Sequence, residues 1–493
     1  MRKISTNSRL TRQFIFAFLL FTFSFAVGTA QTETPPEPSA PRSVTVPAVK
    51  EKKLANGLTV AVVERKGSPL VTIQLLVKSG AADEAADKAG LANLTASMLT
   101  KGTKTRSATQ IAEDIEFLGG SLDTGAGWNN SVVTATVLAD KVDQAMAILS
   151  DVVLNPAFDQ KELDLLKSQT LDGLTYNLKQ PGFLANYVAS KYSFNEHPAG
   201  GTPSSLASIT RDDVVAFHGE NYKPNAAVLI FTGDISLEKA ATAAQRAFGT
   251  WKEPANETAG KAESRASAAG DQSKDIVKRM LVIDLPNSGQ ASVNYVEPVY
   301  VARSSKDYYP AIVLNSVLGG GYSSRLNLEI RIKRGLSYGA GSGFAWRQNM
   351  ANFATRTQTK NESAAQVAEL VIEELKKLRD TSVASTELVP RKSVLTGNFG
   401  RNLETTNGLA GAISDLYSFG IPTAELNSYM TSTNAVTDAQ IKDFADANLA
   451  GGDMIIVGDY SVFKDDLAKR FPDMKVEVIK ADALDLSKVG LQK

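Results

Sequence analysis

The stretch at residues 90–103 has the spacing of a metal-binding helix but not the residue types. Asn93 and Ser97 stand at positions i and i+4, which share one face of a helix, and Ala96 stands between them. Two histidines at that spacing bind one zinc ion, and a glutamate just before the second one activates a metal-bound water. Asn and Ser are poor zinc ligands, and Ala cannot accept a proton from water. Taken alone, the stretch is equally consistent with an ordinary core helix rich in Ala, Leu and Met.

The composition excludes several other kinds of site. The 493 residues include no cysteine, which excludes disulfides, thiolate zinc sites and cysteine nucleophiles. The only histidines, His197 and His218, are too few for a three-histidine zinc site and are not four residues apart. We expect both to be structural, with surface metal binding as the alternative. Basic and acidic residues each number 53, so no excess charge favours nucleic acid or an anionic surface.

Three successive glycines, Gly319, Gly320 and Gly321, predict a loop that another backbone can approach closely. A phosphate-binding loop would continue with Gly-Lys-Ser or Gly-Lys-Thr, and this sequence does not. We therefore expect the loop to lie against an extended peptide rather than a nucleotide.

Residues 1–30 are typical of a secretory signal peptide, because basic residues precede an apolar run and small residues follow it. The alternative is a membrane anchor, but the apolar run at 14–27 is short for a membrane span. Residues 31–48 are rich in Pro, Thr and Ser and predict a disordered lead-in. We expect export to the periplasm, with no stable membrane anchor after cleavage.

The rest of the chain contains a long internal repeat. A Tyr-Ser-Phe sequence with a nearby proline occurs at 192–198 and again at 417–422. A strand-like segment that ends in Gly-Asp occurs at 229–234 and again at 455–459. The offset is far too long for a solenoid, so the repeat predicts duplicated α/β domains.

A polar segment separates the two copies. Residues 252–275 consist mainly of Ala, Ser, Glu, Lys and Gly and are typical of a flexible linker. We therefore predict a first domain at 49–251 and a second domain at 276–493.

These features together resemble the pitrilysin/insulinase-like metallopeptidases. Their zinc helix carries His-x-x-Glu-His within Gly-x-Ala-His-x-x-Glu-His-Met-x-x-Lys-Gly-Thr. The frame around that motif is kept here at the following positions: Gly90, Ala92, Met98, Lys101, Gly102 and Thr103. Other family-like segments lie at 56–58, 217–225 and 319–326, so the resemblance covers nearly all of the chain after the lead-in.

The resemblance implies that the catalytic positions are substituted. Asn93 and Ser97 stand where the family has histidines, and Ala96 stands where it has the general base. The third zinc ligand of the family, a glutamate on a later helix, falls near Gly173. Asp172 is one residue away and would lie on a different face of that helix. We therefore expect no metal in this chain.

The second half keeps a different feature of the family. There an Arg and a Tyr, seven residues apart, reach the substrate held at the zinc of a partner domain, and Arg331 and Tyr338 have that spacing. A phenol can donate to the scissile carbonyl as it becomes an oxyanion, and a guanidinium can hold a backbone carbonyl. Taken alone, the two residues are better explained as a surface Arg and a packed Tyr beside a Gly turn, and the resemblance is what favours substrate contact.

The resemblance implies an α+β fold with two homologous domains, each a mostly antiparallel sheet with helices packed on one face, which together form half of a clamshell. It implies the non-catalytic, substrate-binding subunit of a heteromeric periplasmic zinc metallopeptidase, with zinc in a homologous partner subunit and peptides as substrates. One alternative is a stand-alone pseudopeptidase that binds peptides or scaffolds an assembly. Another, less consistent with the substitutions, is a zinc endopeptidase active by itself.

Overall fold

The computed structural model describes residues 45–253, 275–488 and 490–492. The predicted signal peptide at 1–30, most of the lead-in at 31–48 and most of the linker at 252–275 lie outside these residues and stay predictions. Within the described ranges no helix is long and apolar enough to cross a membrane.

The two halves have matching series of elements. The strands of the first half are β1 (Lys50–Lys53), β2 (Thr59–Glu64), β3 (Leu70–Val77), β4 (Ser121–Ala126), β5 (Ser131–Leu138) and β6 (Ala227–Gly233). Its helices are α1 (Leu91–Met98), α2 (Ala108–Phe117), α3 (Val142–Leu154), α4 (Gln160–Asn177), α5 (Pro181–Tyr192), α6 (Pro203–Ser208), α7 (Arg211–Asn221) and α8 (Leu237–Phe248).

The strands of the second half are β7 (Val277–Asp284), β8 (Ala291–Val299), β9 (Ala340–Trp346), β10 (Ala351–Thr359), β11 (Gly452–Gly458) and β12 (Val476–Lys480). Its helices are α9 (Tyr308–Leu318), a π-helical segment (Asn327–Ile332), α10 (Ala364–Asp380), α11 (Ser385–Glu404), α12 (Thr406–Ser418), α13 (Glu425–Ala435), α14 (Asp438–Asn448) and α15 (Tyr460–Arg470).

The two sheets share one topology except at one edge, where β1 runs antiparallel to β2 and β12 runs parallel to β7. Their strand orders are β1-β2-β6-β3-β5-β4 and β12-β7-β11-β8-β10-β9. The pairs β2·β6, β7·β11 and β7·β12 are parallel and the other neighbours are antiparallel. The predicted α+β class, with two mostly antiparallel sheets, is therefore confirmed.

The sheet of the first half is buried on both faces. Val60 and Val62 of β2 point into the core formed with the helices of the same half. Ala61 and Val63, which alternate with them, pack against Ile413 and its neighbours on α12, a helix of the second half. Because successive side chains of a strand point to opposite faces, β2 is an apolar run rather than an alternating pattern.

The two halves exchange helices, because a helix of the first half in turn covers the sheet of the second half. Leu184 and Val188 of α5, a first-half helix, pack on Ile283 and Ile455 in the sheet of the second half. Helices of the same half cover one face of each sheet, as predicted, and the helix from the other half covers the opposite face. This exchange joins the two halves through two apolar cores.

The hairpin turns that follow β4 and β9 meet each other. The side-chain amide of Asn129, in the first turn, donates to the carbonyl oxygen of Trp346 at 3.1 Å. The guanidinium of Arg347, in the second turn, lies over the ring of Trp128 at 4.6 Å from its centroid. Strands β4 and β9 are each the outermost strand of their sheet, so the two sheet edges end beside each other.

Candidate functional site

Helix α1 carries the degenerate zinc motif and is fixed at its start by a buried carboxylate. Gly90, just before the helix, has φ +95°, and a Cβ there would lie 3.1 Å from the Cα of Gly201. Glu84 accepts hydrogen bonds from the backbone N–H groups of Gly90 at 2.7 Å and Ala92 at 2.6 Å. A carboxylate at a helix start bonds free N–H groups and favours the helix dipole.

The four substituted positions offer no ligand set for zinc. The side-chain amide of Asn93 donates to the carbonyl oxygen of Ala199 at 2.9 Å, and Ser97 is half-buried. Ala96 is fully buried and has no polar side-chain atom. Gly173 is exposed on α4, and a Cβ added there would meet no neighbouring atom within 4 Å. An amide, a hydroxyl, a methyl group and a hydrogen cannot replace two imidazoles and two carboxylates as ligands and base.

Gly102 and Thr103 of the motif frame have structural roles that do not depend on a bound metal ion. Gly102 has φ +125°, a backbone conformation that favours glycine. The hydroxyl of Thr103 donates to Asp151 at 2.7 Å, and Arg106 donates to the same carboxylate at 2.6 Å. Burial would raise the pKa of Asp151, but hydrogen bonds from Thr103, Asn155, Arg106 and a second threonine lower it below its usual value.

A metal site elsewhere finds no support in the part of the chain that the structure covers. No group of three or more His, Cys, Asp or Glu side chains there could hold a metal ion. His197 bonds the carbonyl oxygen of Ala81 at 3.0 Å and the carboxylate of Glu84 at 3.1 Å. His218 is bonded to the carbonyl oxygen of Val153 at 2.9 Å, and burial lowers its pKa to about 4. Both histidines therefore lie in packing contacts inside the first half.

The predicted substrate pair lies on adjoining cavities of the second half. Arg331 is exposed on the π-helical segment, and its guanidinium lies 5.1 Å from the ring centroid of Tyr322. It lines a cavity of about 540 Å³. Tyr338 is 90% exposed and lines a second cavity of about 330 Å³. The two cavities share Gly339 and Arg356, so one open surface contains both predicted residues.

The glycine loop forms one wall of the larger cavity. Gly319 and Gly320 leave no room for a side chain because backbone atoms of this chain lie too close. A Cβ at Gly319 would lie 2.3 Å from the nitrogen of Ser342, and a Cβ at Gly320 would lie 2.7 Å from the Cα of Ser316. At Gly321 the nearest atom to such a Cβ is 3.8 Å away. Gly319 and Gly321 line the cavity, and only Gly321 leaves space there for an approaching ligand.

Sequence reasoning missed two features of this surface. Strand β9 carries Gly341 and Gly343, with Gly339 just before it, and glycines two residues apart leave one strand face without side chains. Arg356, on β10, is the paired neighbour of Gly341. The alternating glycines are a visible signal for close backbone approach. The sequence contains no such signal for Arg356, because the place of Arg356 beside the cavity depends on the pairing of β9 with β10.

The family models match both halves. The model described as "Insulinase (Peptidase family M16)" matches residues 59–185, and the one described as "Peptidase M16 inactive domain" matches residues 208–392. An uncharacterized zinc protease of Rickettsia bellii is 30% identical over 59% of this chain and 68% of its own length. A protein of Helicobacter pylori named a non-peptidase homolog is 25% identical over 77% of this chain and 85% of its own length.

Solved structures agree with these matches. A peptidase M16 inactive domain from Pseudomonas fluorescens has a TM-score of 0.73 and 26% identity over 83% of this chain and 98% of its own length. A Helicobacter pylori protease has a TM-score of 0.77 over 84% of this chain and 100% of its own length, and at 18% identity it supports the fold alone. The predicted family is confirmed: this chain belongs to the insulinase family, peptidase family M16, and has Asn93, Ala96 and Ser97 in place of the residues of the family's zinc motif.

Proposed function

We propose that this chain is the non-catalytic, substrate-binding subunit of a heteromeric zinc peptidase of the periplasm. In this proposal a homologous partner subunit holds the zinc ion and its base. This chain contributes Arg331, Tyr338 and one wall of the peptide chamber. The metal and the base belong wholly to the partner, so this chain only holds and polarises the peptide.

One contrast between the two halves carries the proposal. Tyr338 is 90% exposed beside an open cavity, where its ring has little packing role in this chain. At the metal positions, by contrast, Ala96 is fully buried and Asn93 is bonded to backbone. The substrate-side groups are thus free to contact another molecule, whereas the metal-side groups are absent.

The edge strand beside Tyr338 favours a peptide as that molecule. Strand β9 pairs with no strand but β10, and its outer edge is bonded only in part: the N–H of Ser342 donates to the carbonyl oxygen of Gly319 at 3.2 Å, and the N–H of Ala340 donates to the side-chain oxygen of Asn327 at 3.3 Å. An extended peptide can add to the remaining groups of this edge through main-chain hydrogen bonds. Cβ positions at Gly339 and Gly343 have no atom within 4 Å, which leaves room for it.

Tyr338 and Arg331 suit two different oxygen atoms of such a peptide. The phenol can donate one hydrogen bond to the carbonyl oxygen that gains negative charge during hydrolysis. The guanidinium, held against the ring of Tyr322, can donate to a neighbouring carbonyl and so fix the register of the peptide.

A second candidate is a stand-alone pseudopeptidase that binds peptides or scaffolds an assembly. It is favoured by the fact that both cavities and the β9 edge are complete within this chain. In that case peptide binding would need no partner and would not be followed by hydrolysis.

Purification of the tagged chain from its native cells separates the two candidates. The subunit proposal expects a periplasmic complex with a homologue that carries an intact His-x-x-Glu-His motif. It also expects peptide hydrolysis by the mixture and by neither chain alone. Isolation of the chain without such a homologue, together with peptide binding and no hydrolysis, would favour the second candidate.

A further inference from the structure

We propose that Arg331 and Arg356 together bind a carboxylate of the peptide, so that this subunit selects peptides that present a carboxylate at that position. This inference rests on the proposed function, because it names the class of peptide that the same surface would take. The carboxylate can be an Asp or Glu side chain or the C-terminus of the peptide. All three present the same two-oxygen acceptor to a guanidinium.

The cavity of about 540 Å³ contains positive charge and no negative charge in its lining. Arg331 and Arg356 both line it, and none of its other lining residues is acidic. The single carboxylate of the π-helical segment, Glu329, is already held by Lys333 at 2.5 Å and Arg334 at 2.7 Å. The carboxylate of Glu329 is therefore already paired with two other cations.

The two arginines have only weak partners among the described residues. Arg331 lies over the ring of Tyr322, and Arg356 donates to the amide oxygen of Asn186 at 3.3 Å. Neither takes part in an ion pair within that part of the chain. A guanidinium presents five donors in a planar fork that matches a carboxylate, so most of the donors of this pair are available to a ligand.

The two arginines reach the cavity from different elements. Arg331 precedes β9 in the chain, and Arg356 reaches the cavity from β10, where it is the paired neighbour of Gly341. Gly341 has no side chain, and the carbonyl oxygen of Gly319 lies 3.2 Å from the position that a Cβ at Gly341 would take. Because both arginines line this cavity, a peptide bound in it would lie close to both guanidinium groups.

A third arginine adds positive charge beneath the loop. Arg391, on α11, is 5% exposed and donates to the hydroxyl of Ser323. Its guanidinium lies 3.8 Å from the position of a Cβ at Gly321, which lines the cavity. The nearby Glu387 is bonded by both of its oxygens to Arg325, at 2.9 and 2.8 Å.

The charge of Arg391 is costly to bury without an anion nearby. Burial lowers the pKa of Arg391, although Glu387 acts in the opposite direction. A bound carboxylate in the adjoining cavity would offset part of that cost, since charges separated by little water interact strongly.

The test uses the full mature chain and four fluorescent peptides of one length and one neutral sequence. The peptides carry Glu or Gln at the central position, and each has either a free or an amidated C-terminus. Fluorescence anisotropy at low salt gives the four dissociation constants. We expect at least one carboxylate to strengthen binding by about tenfold or more, as for charge-assisted hydrogen bonds. The Glu/Gln arm and the acid/amide arm show which carboxylate is recognised.

Two variants test whether the preference for a carboxylate arises in the cavity. Arg356→Gln should remove most of the preference for the carboxylate, so that the paired peptides bind with nearly equal dissociation constants. Arg401→Gln removes the same charge from an exposed position on α11 outside the cavity, and the preference should persist. A thermal melt of each variant confirms that it is folded.

The outcomes separate this inference from the proposed function. Equal binding of all four peptides by the wild-type chain would overturn carboxylate selection and leave peptide binding intact. Binding of none of them would contradict both proposals. Equal loss of preference in Arg356→Gln and Arg401→Gln would show long-range attraction instead of a site, and would overturn the assignment.

Discussion

Arg347 of the second half donates two hydrogen bonds to Glu196 of the first half, at 2.9 and 2.7 Å. Glu196 also accepts from the side-chain amide of Asn352 at 2.8 Å, and both members of the ion pair are largely buried. The guanidinium of Arg347 lies on Trp128, whose ring lies 5.1 Å from that of His197. Since His197 bonds the carboxylate that caps α1, the motif helix is connected to the second half through this chain of contacts.

The ion pair predicts a large loss of stability when Arg347 is removed. Arg347→Ala leaves the carboxylate of Glu196 buried with one amide partner, and we expect about 3–5 kcal/mol of destabilisation, as for other broken buried pairs. The measurement is the shift of the urea unfolding curve. Arg246→Ala is the matched control, because its pair with Asp143 is about two-thirds exposed on both sides and should contribute at most about 1 kcal/mol. Similar shifts for the two variants would contradict this role of Arg347.

The exchange of α5 and α12 predicts that the two halves assemble without a covalent link. Residues 45–253 and 275–493, produced together as separate chains, should co-purify, because each half contributes a helix to the core of the other. Leu184→Asp should abolish this assembly, since it places a charge in the shared core. Leu165→Asp, on the half-exposed surface of α4, should have little effect. Separate elution of the unmodified halves would contradict the reciprocal packing.

The substituted motif predicts that the purified chain binds no stoichiometric zinc. The reason is the donor set, because Asn93, Ala96 and Ser97 cannot form the family's site and Gly173 has no side chain. Restoring His at 93 and 97 and Glu at 96 should give weak binding at most, because the third ligand is still missing. Elemental analysis after dialysis measures this. About one tightly bound zinc ion per chain in the unmodified protein would contradict it.

A buried carboxyl group predicts a pH-dependent loss of stability. Burial raises the pKa of Glu297 to about 8, against hydrogen bonds from Tyr295 and the backbone of Ala450 that lower it. The folded protein therefore keeps this proton at pH values where the unfolded chain has lost it. Stability contributed by the protonated form is complete below about pH 4.5 and is lost as pH rises through about 8.

Glu297→Gln tests this assignment, because the amide keeps the shape and cannot lose a proton. The free energy of unfolding of the variant, measured from pH 5 to 9, should fall less steeply than that of the wild type. Parallel curves for the two proteins would show that Glu297 does not titrate in this range.

Much of the fold could be predicted from the sequence, because local patterns determine it. The strand-like segments that end in Gly-Asp at 229–234 and 455–459 correspond to β6 and β11, so the repeat offset matches these two strands. The exchanged helices could not be predicted, because α5 and α12 look like ordinary amphipathic helices and only tertiary packing decides which sheet each one covers. The doubly buried apolar strands were a partial signal, since they need cover on both faces.

The candidate site also has a part that local sequence patterns predict and a part that only the folded chain reveals. Asn93, Ala96, Ser97, Arg331 and Tyr338 could be named from the sequence, because they stand at fixed spacings in segments that resemble motifs of the family. The role of the frame could not be seen, because Thr103 meets Asp151 only in the folded chain. Arg356 was missed for a similar reason, because it reaches the cavity through the register of β9 and β10.

The most direct test of the account is peptide turnover by the zinc-bearing partner mixed with wild-type chain or with Tyr338→Phe. The substitution removes the phenolic donor and keeps the exposed ring, so the complex should form and bind peptide as before. We expect kcat to fall by about 10²-fold or more, with a smaller change in KM, because the hydrogen bond forms mainly in the transition state. Equal kcat values for wild type and Tyr338→Phe, or full activity of the partner alone, would contradict the account.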